Sequence, residues 1–441
     1  MELNPIAQNA LTNLGVTELN KMQEAANLSI QKERNTILLS PTGSGKTLAF
    51  LLPVLQLMRE DKSGVQCIII SPTRELAIQI ERVWQKMSTG FKVSTCYGGH
   101  PMQIETNNLV QPPALLIGTP GRILEHINRQ TFVTASVETL ILDEFDKSLS
   151  MGFQEQMGDI ILHLKGLEKR VLVSATNKMS IPDFTGIVAP NILNFSKMEM
   201  PTNSGFSLKY VKSNTADKID TLFQLLCSLG AEQTLVFCNL RETTEKTQAF
   251  LKKKGLDAAC FHGGMEQLDR EKALINFRNG STTFFVTSDL AARGLDIPEV
   301  KNVVHYEIPL KHNDFLHRNG RTARMHAEGT AYLVLSSEED FPVYLGPKPV
   351  LAQIPSELVL PEPSPWTTLY ISGGKKDKLS KMDIVGFLSK KGELAKDDIG
   401  KIEILDFMSF VAVKKKIANH LLKQVKEEKM KGQKYKMNIA W

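Results

Sequence analysis

Two short stretches carry residue types that can do chemistry. SPTGSGKT, residues 40 to 47, has two glycines in a run, Thr42, Gly43, Ser44 and Gly45, that lets successive backbone N–H groups curl around phosphate oxygens. Lys46 then reaches the β and γ phosphates of a nucleotide, and Thr47 offers a hydroxyl to Mg2+. ILDEFDKS, residues 141 to 148, sets Asp143, Glu144 and Asp146 directly after an apolar run, with Phe145 between the acids. Beside a nucleotide, Asp143 would hold the hydrated metal and Glu144 would orient or deprotonate an attacking water. Taken alone, the first stretch also reads as a Gly-rich turn with a stray lysine, and the acid run as helix capping, because carboxylates favour a helix N-terminus.

To bring these residues together, the chain needs strands that end on a common edge. From residue 35 to 200 one rhythm recurs, a short β-rich apolar run, a Gly/Pro/Ser loop and an amphipathic helical pattern. NTILLS, QCIIISP, ALLIGTP, TLILDE and RVLVSAT are the expected strands, and SLKYVKS, TLVFCN, AACFHG, TTFFVTSD, NVVHYEI and TAYLVLS begin a second series near residue 210. The alternation predicts an α/β fold, two doubly wound parallel-sheet domains in tandem over 1–200 and 208–340. PKPVLAQIPSELVLPEPSPW is too rich in proline for a regular helix, so 341–365 is expected as an extended spacer. The remainder, 366–441, reads as a small α+β domain with TTLYISGG, FMSFVAVK and KYKMNIA as strands.

Composition narrows the class. The 441 residues are enough for two or three domains. No apolar run reaches the roughly 18 residues of a membrane span, and the five cysteines are scattered singly, without a C-x-x-C pair. A soluble protein of a reducing cytoplasm, with no membrane partner, is the expectation. The net charge of +5 is uneven, since residues 366 to 441 hold 17 lysines and no arginine against 9 acids. A basic unit of that kind suits a polyanion, or it is simply a solvated lysine-rich face.

With both chemical stretches in place, the chain resembles the DEAD-box ATP-dependent RNA helicases over residues 3 to about 340. After SPTGSGKT come PTRELAIQ, Gly98-Gly99, TPGR, DEFD and SAT, and then LVFCN, HGGMEQLDR, TSDLAARGLD and HRNGRTAR, in the family's order. The resemblance implies two RecA-like domains, ATP and Mg2+ as cofactors, and Arg321 and Arg324 as fingers for charge developing on the γ phosphate. It implies Asp296 and Gln23 as nucleotide contacts, and Ser174 and Thr176 as the link from Asp146 to domain closure. RNA would be met by Pro72, Thr73, Arg74, Gly98, Gly99, Thr119, Pro120, Gly121, Arg122, Thr287 and Arg293, through contacts that position without reading sequence. Arg74 and Arg122 also read as surface salt-bridge partners. The adenine-reading segment departs from the family at LNKM and Val16, which implies looser discrimination among nucleotides. Phe145 stands where the family has alanine, and a strand-like alternation would turn it away from both acids into packing. Ala323 replaces a glycine beside Arg324.

The tail, through ISGGKKDKL, DIVGFL and DIGKIEILDFMSFVAV, resembles the RRM-like RNA-binding domain of DbpA-type members of the family. That implies anchoring on structured RNA, ribosomal RNA in particular, with Lys375, Lys376 and Lys378 as a phosphate grip. Tyr370 is either a stacking face or a core residue of its strand. The spacer would let the tail hold one RNA element while the core works on a neighbour. The expected function is an RNA-dependent ATPase, acting as a monomer, that remodels structured RNA during ribosome assembly. An ATP-gated clamp and a DNA helicase are the competing readings.

Overall fold

The computed structural model describes residues 3–41, 43–175, 181–196, 205–289, 297, 300–322, 329–346, 348–355 and 357–440. The chain divides into two compact units near residue 202, the second taking in the tail. No helix among the described residues is long and apolar enough to cross a membrane.

The first unit holds seven parallel strands: β1 (Asn35–Leu39), β2 (Cys67–Ile70), β3 (Val93–Cys96), β4 (Leu115–Gly118), β5 (Thr139–Leu142), β6 (Lys169–Ser174) and β7 (Asn191–Asn194). Their order is β3-β4-β2-β5-β6-β1-β7, so the chain crosses the sheet one way from β1 to β3 and returns the other way from β3 to β7. Side-chain alternation divides the core into two layers. Leu38, Phe50, Ile69, Ile117 and Val173 fill one face, and Ile37, Ile68, Ile70, Leu140 and Phe145 the other. Burial on both faces is what makes each strand read as a continuous apolar run.

In the second unit β8 (Phe206–Lys212), β9 (Thr234–Cys238), β10 (Ala258–Phe261), β11 (Phe284–Ser288), β12 (Asn302–His305), β13 (Gly329–Leu335) and β14 (Val350–Leu351) lie in the order β10-β11-β9-β12-β13-β8-β14. That repeats the first sheet strand for strand. The last member comes from the proline-rich stretch. Instead of spanning free as a spacer, Val350 and Leu351 pair with Lys209 and Tyr210 as an edge strand, where proline neighbours cost no ladder bond.

The tail forms an antiparallel sheet, β16-β17-β15-β18, from β15 (Trp366–Ile371), β16 (Ile399–Ile404), β17 (Ser409–Lys414) and β18 (Met437–Ile439). Leu369, Ile371, Val411 and Val413 point to one face and pack with residues of the helices Lys381–Lys390 and Lys415–Gln424. The alternate residues face the other way, and they are covered as well. Phe410 and Ala440 are buried against Ile275 on the helix Gln267–Arg278, with Tyr370, Leu405 and Met408 around them. Asn276 Nδ2 donates to Ala440 O at 2.7 Å, Lys401 Nζ to Arg278 O at 2.9 Å, and Thr368 Oγ1 lies 2.8 Å from Ser281 Oγ. The tail is therefore docked on the second sheet domain by its own sheet. Tyr370 meets Phe410 edge-on at 5.7 Å and belongs to this contact, so it is not an open stacking platform.

Candidate nucleotide and RNA sites

The phosphate loop joins β1 to the helix Lys46–Leu57. Gly43 and Gly45 both stand at φ +86°, a conformation that strains any residue with a Cβ. Gly45 caps the helix without a side-chain bond, which leaves the first-turn N–H groups facing the loop. Lys46 Nζ donates to Ser40 O at 2.7 Å and Pro41 O at 2.8 Å, so the lysine is fastened to the loop it serves. Burial lowers its pKa, while Glu144 and Asp143 pull the other way.

Gln23 stands beside this loop and engages one lone pair and one N–H of its amide there. Its Oε1 accepts the Asn20 N–H at 3.0 Å in a capping box, and its Nε2 donates to Gly45 O at 3.3 Å. Gln23 thus braces the phosphate loop, helped by Asn20 Nδ2 on Ser44 O at 3.1 Å.

At the end of β5 the chain turns sharply. Glu144 takes φ +46°, and its N–H is received by Asp143 Oδ1 at 3.0 Å. The helix Phe145–Ser150 starts immediately, and Lys147 Nζ pairs with Glu144 Oε2. This turn, rather than a continued strand alternation, is what buries Phe145, which lies 6.4 Å from Phe184 in the core. Asp143 is buried, and desolvation together with the neighbouring Glu144 pushes its pKa up to about 7 against the pull of Lys46. Asp146 Oδ1 is buried without a hydrogen-bond partner. Crowded carboxylates with an orphaned oxygen suit a divalent cation, whose charge would relieve both. Ser174 ends β6, and its carbonyl receives the Ser40 N–H at 3.0 Å, tying that strand end to the phosphate loop. Thr42, Thr176, Arg293, Asp296 and Arg324 lie outside the described residues.

Strand order separates two groups of residues along one carboxyl edge. β5, β6 and β1 lead into Asp143, Ser174 and the phosphate loop, whereas β3, β4 and β2 lead into Gly98-Gly99, Thr119 to Arg122 and Pro72 to Arg74. A doubly wound sheet places ligands at this edge. Thr73 caps the helix Arg74–Met87 by accepting the Leu76 N–H at 3.3 Å. Arg74 lies so close to the glycine pair that a Cβ on Gly99 would come 2.5 Å from its Nη1. Pro120 opens the helix Pro120–Asn128, while a Cβ on Gly121 would meet open space. Arg122 donates to Tyr97 O at 3.2 Å and to His100 O. Its guanidinium holds the glycine loop and also pairs with Glu125 Oε2 at 3.1 Å, so Arg122 is an internal hook as well as a salt-bridge partner.

In the second unit Arg318, buried under Phe237, reaches both oxygens of Asp289 at 2.6 Å and also Glu307 O and Asn239 Oδ1. Arg321 is buried one turn further on. Thr287 is fully buried at the end of β11 and donates to Ser288 O.

Comparison with known proteins decides the lineage. Residues 20–184 match the DEAD/DEAH box helicase family, 217–326 the helicase conserved C-terminal domain and 368–439 the DbpA RNA binding domain. The chain is 30% identical to the ATP-dependent RNA helicase DbpA of Escherichia coli (strain K12), over 98% of this chain and 96% of that one. The chain belongs to the DEAD-box ATP-dependent RNA helicases. The Bacillus subtilis (strain 168) DbpA is 29% identical over the same shares of the two chains. Among solved structures, Saccharomyces cerevisiae Dbp5 bound to RNA and ADP BeF3 aligns with a TM-score of 0.67 at 27% identity, covering 76% of this chain and 88% of that one.

The helicase's tail presents Lys375, Lys376 and Lys378 together on an exposed turn. Their backbone is clamped, with Lys375 N–H on Leu405 O at 2.8 Å and Lys376 N–H on Asp406 O at 2.9 Å. A Cβ on Gly374 would lie 2.2 Å from Leu405 O, which explains the glycine before the lysines. What the sequence reading passed over is Glu105, with His100 and His126, beneath the glycine loop. Only the position of a lone acid in an otherwise bland helix, shortly after a glycine pair, pointed to it.

Proposed function

We propose that this helicase hydrolyses ATP in response to RNA, opens structured RNA locally, and takes its target from ribosomal RNA during ribosome assembly. The observation that carries the reading is the division of one carboxyl edge into a nucleotide half and a glycine-and-arginine half, together with an exposed lysine turn on a docked tail. The relatives named DbpA over nearly the whole length support it.

In this reading Gly43, Ser44, Gly45 and the helix N-terminus cradle the phosphates, and Lys46 leaves its own loop carbonyls to meet them. Thr47 and Asp143 would hold Mg2+, which when bound supplies charge compensation for the phosphate oxygens. Glu144, oriented by its left-handed turn, receives a proton from the attacking water. Arg321 and Arg324 neutralise charge that develops on the γ phosphate. Backbone groups of Gly98, Gly99, Thr119 and Gly121 meet the RNA strand without reading bases.

ATP hydrolysis by the full chain, with and without ribosomal RNA, tests this directly. Ribosomal RNA should stimulate the wild type strongly, Glu144→Gln should abolish turnover, and Lys375, Lys376 and Lys378 changed together to alanine should raise the RNA needed for half-maximal stimulation. Equal stimulation by an unrelated structured RNA would remove the ribosomal target. ATP-dependent binding without displacement of a short duplex would replace unwinding by clamping.

A further inference from the structure

The glycine loop is held by one buried acid. Glu105, on the helix Met102–Leu109, is 1% exposed. Its Oε1 accepts the Tyr97 N–H at 3.1 Å and lies 3.3 Å from His100 Nδ1. Its Oε2 is 2.9 Å from His126 Nε2 and 3.3 Å from Arg122 Nε. The other ring nitrogen of His126 meets Thr131 Oγ1 at 2.9 Å, which fixes the ring. Arg122 in turn takes the carbonyls of Tyr97 and His100, the residues on either side of the glycine pair, and Glu125 Oε2 at 3.1 Å. Arg74 lies over the pair itself. The two glycines are thus a short bridge whose ends are both tied, directly or through Arg122, to one carboxylate.

We propose that Glu105 is a positioning residue for RNA: it holds Gly98-Gly99 and Arg122 in the arrangement that meets the RNA backbone. The proposal rests on the reading of this edge as the RNA half. A buried acid with several partners around it is a fixed anchor, because removing it leaves the Arg122 cation without its counter-charge and His126 without its partner in a dry place. Cys96 Sγ also lies within 4.8 Å of the Glu105 and His126 ligand atoms. A metal there would have to displace the guanidinium already at the carboxylate, so the cluster is an ion-pair network. A phosphodiester strand laid on a pre-shaped backbone loop needs no reordering of that loop, and the difference appears as affinity for RNA.

The test is steady-state ATP hydrolysis by the full chain as RNA and ATP are varied separately. Glu105→Ala should raise the RNA concentration for half-maximal stimulation about tenfold and move the half-maximal ATP concentration less than twofold. Glu105→Gln, which keeps an acceptor for the Tyr97 N–H but no charge for Arg122, should fall between Ala and wild type. A smaller maximal rate with an unchanged RNA dependence would mean that Glu105 only supports folding, and would overturn the proposal. Gly121→Glu, an acid added in open space on the same edge, separates the two levels of inference. If it weakens RNA stimulation while Glu105→Ala and Glu105→Gln do not, positioning by Glu105 is wrong. If none of the three changes the RNA dependence, the edge itself does not carry RNA.

Discussion

Phe145 shows how a single departure can be absorbed. The turn at Glu144 places it at the start of a helix with its ring fully in the core against Phe184, so it fills space beneath the acids. Phe145→Ala should cost the first unit about 3 to 5 kcal/mol in chemical denaturation. RNA-stimulated turnover should change less than about tenfold, or roughly 1.4 kcal/mol in the barrier. His305 makes a different residue-scale case. Burial first, and then the Arg318 charge, lower its pKa from 6.5 to about 3, while its Nε2 lies 2.8 Å from Asn319 Oδ1. Between these values the unfolded chain takes up a proton that the native state refuses, so its contribution is complete above pH 6.5 and is lost on acidification. Its share should be about 1.4 kcal/mol per pH unit below 6.5, and unfolding of His305→Gln followed against pH should show a slope shallower by that amount.

At the scale of elements, the buried strands and both chemical stretches were legible because their signals are local: a run of apolar residues, a glycine spacing, a cluster of acids. Strands such as β3, β7 and β14 were not, because VSTC and NILN are polar or exposed edge segments, and two residues of β14 carry no period at all. The hook made by Arg122 was hidden for another reason, since its acid partner sits on a different helix and only the folded sheet joins them. The docking of the tail was equally unreadable. Thr368, Tyr370 and Phe410 alternate with core residues as they would on an open RNA-stacking face, and only the helix opposite reveals that this face is taken. Phe410→Arg should release it, removing about 2 kcal/mol of apolar burial. Amide exchange along Gln267–Arg278 should then quicken at least about tenfold, while that of β9 and β12 stays as it is.

Across the whole molecule, charge is divided by region. The lysines that give the chain its positive balance lie in a tail with no arginine, and its exposed turn offers point charges rather than bidentate forks. Affinity for RNA should therefore fall steeply with salt. Replacing Lys375, Lys376 and Lys378 together by alanine should reduce the slope of log affinity against log salt by about 2, at roughly 0.7 for each contact to a single strand. Binding measured at several salt concentrations checks this, and a slope unchanged by the triple replacement would place the grip elsewhere.

The seating of the tail on the helix Gln267–Arg278 also makes the second unit a ruler. Were the tail on a free tether, the distance from its lysine turn to the second sheet would vary with tether length. With β14 stitched into the sheet and Phe410 pressed on Ile275, the distance from the lysine turn to the second sheet is set by packing, like the spacing of two marks on a rod. A substrate series that moves the duplex stepwise away from the anchoring element should show one preferred spacing. Lengthening the proline-rich segment after Leu351 should leave that spacing where it was.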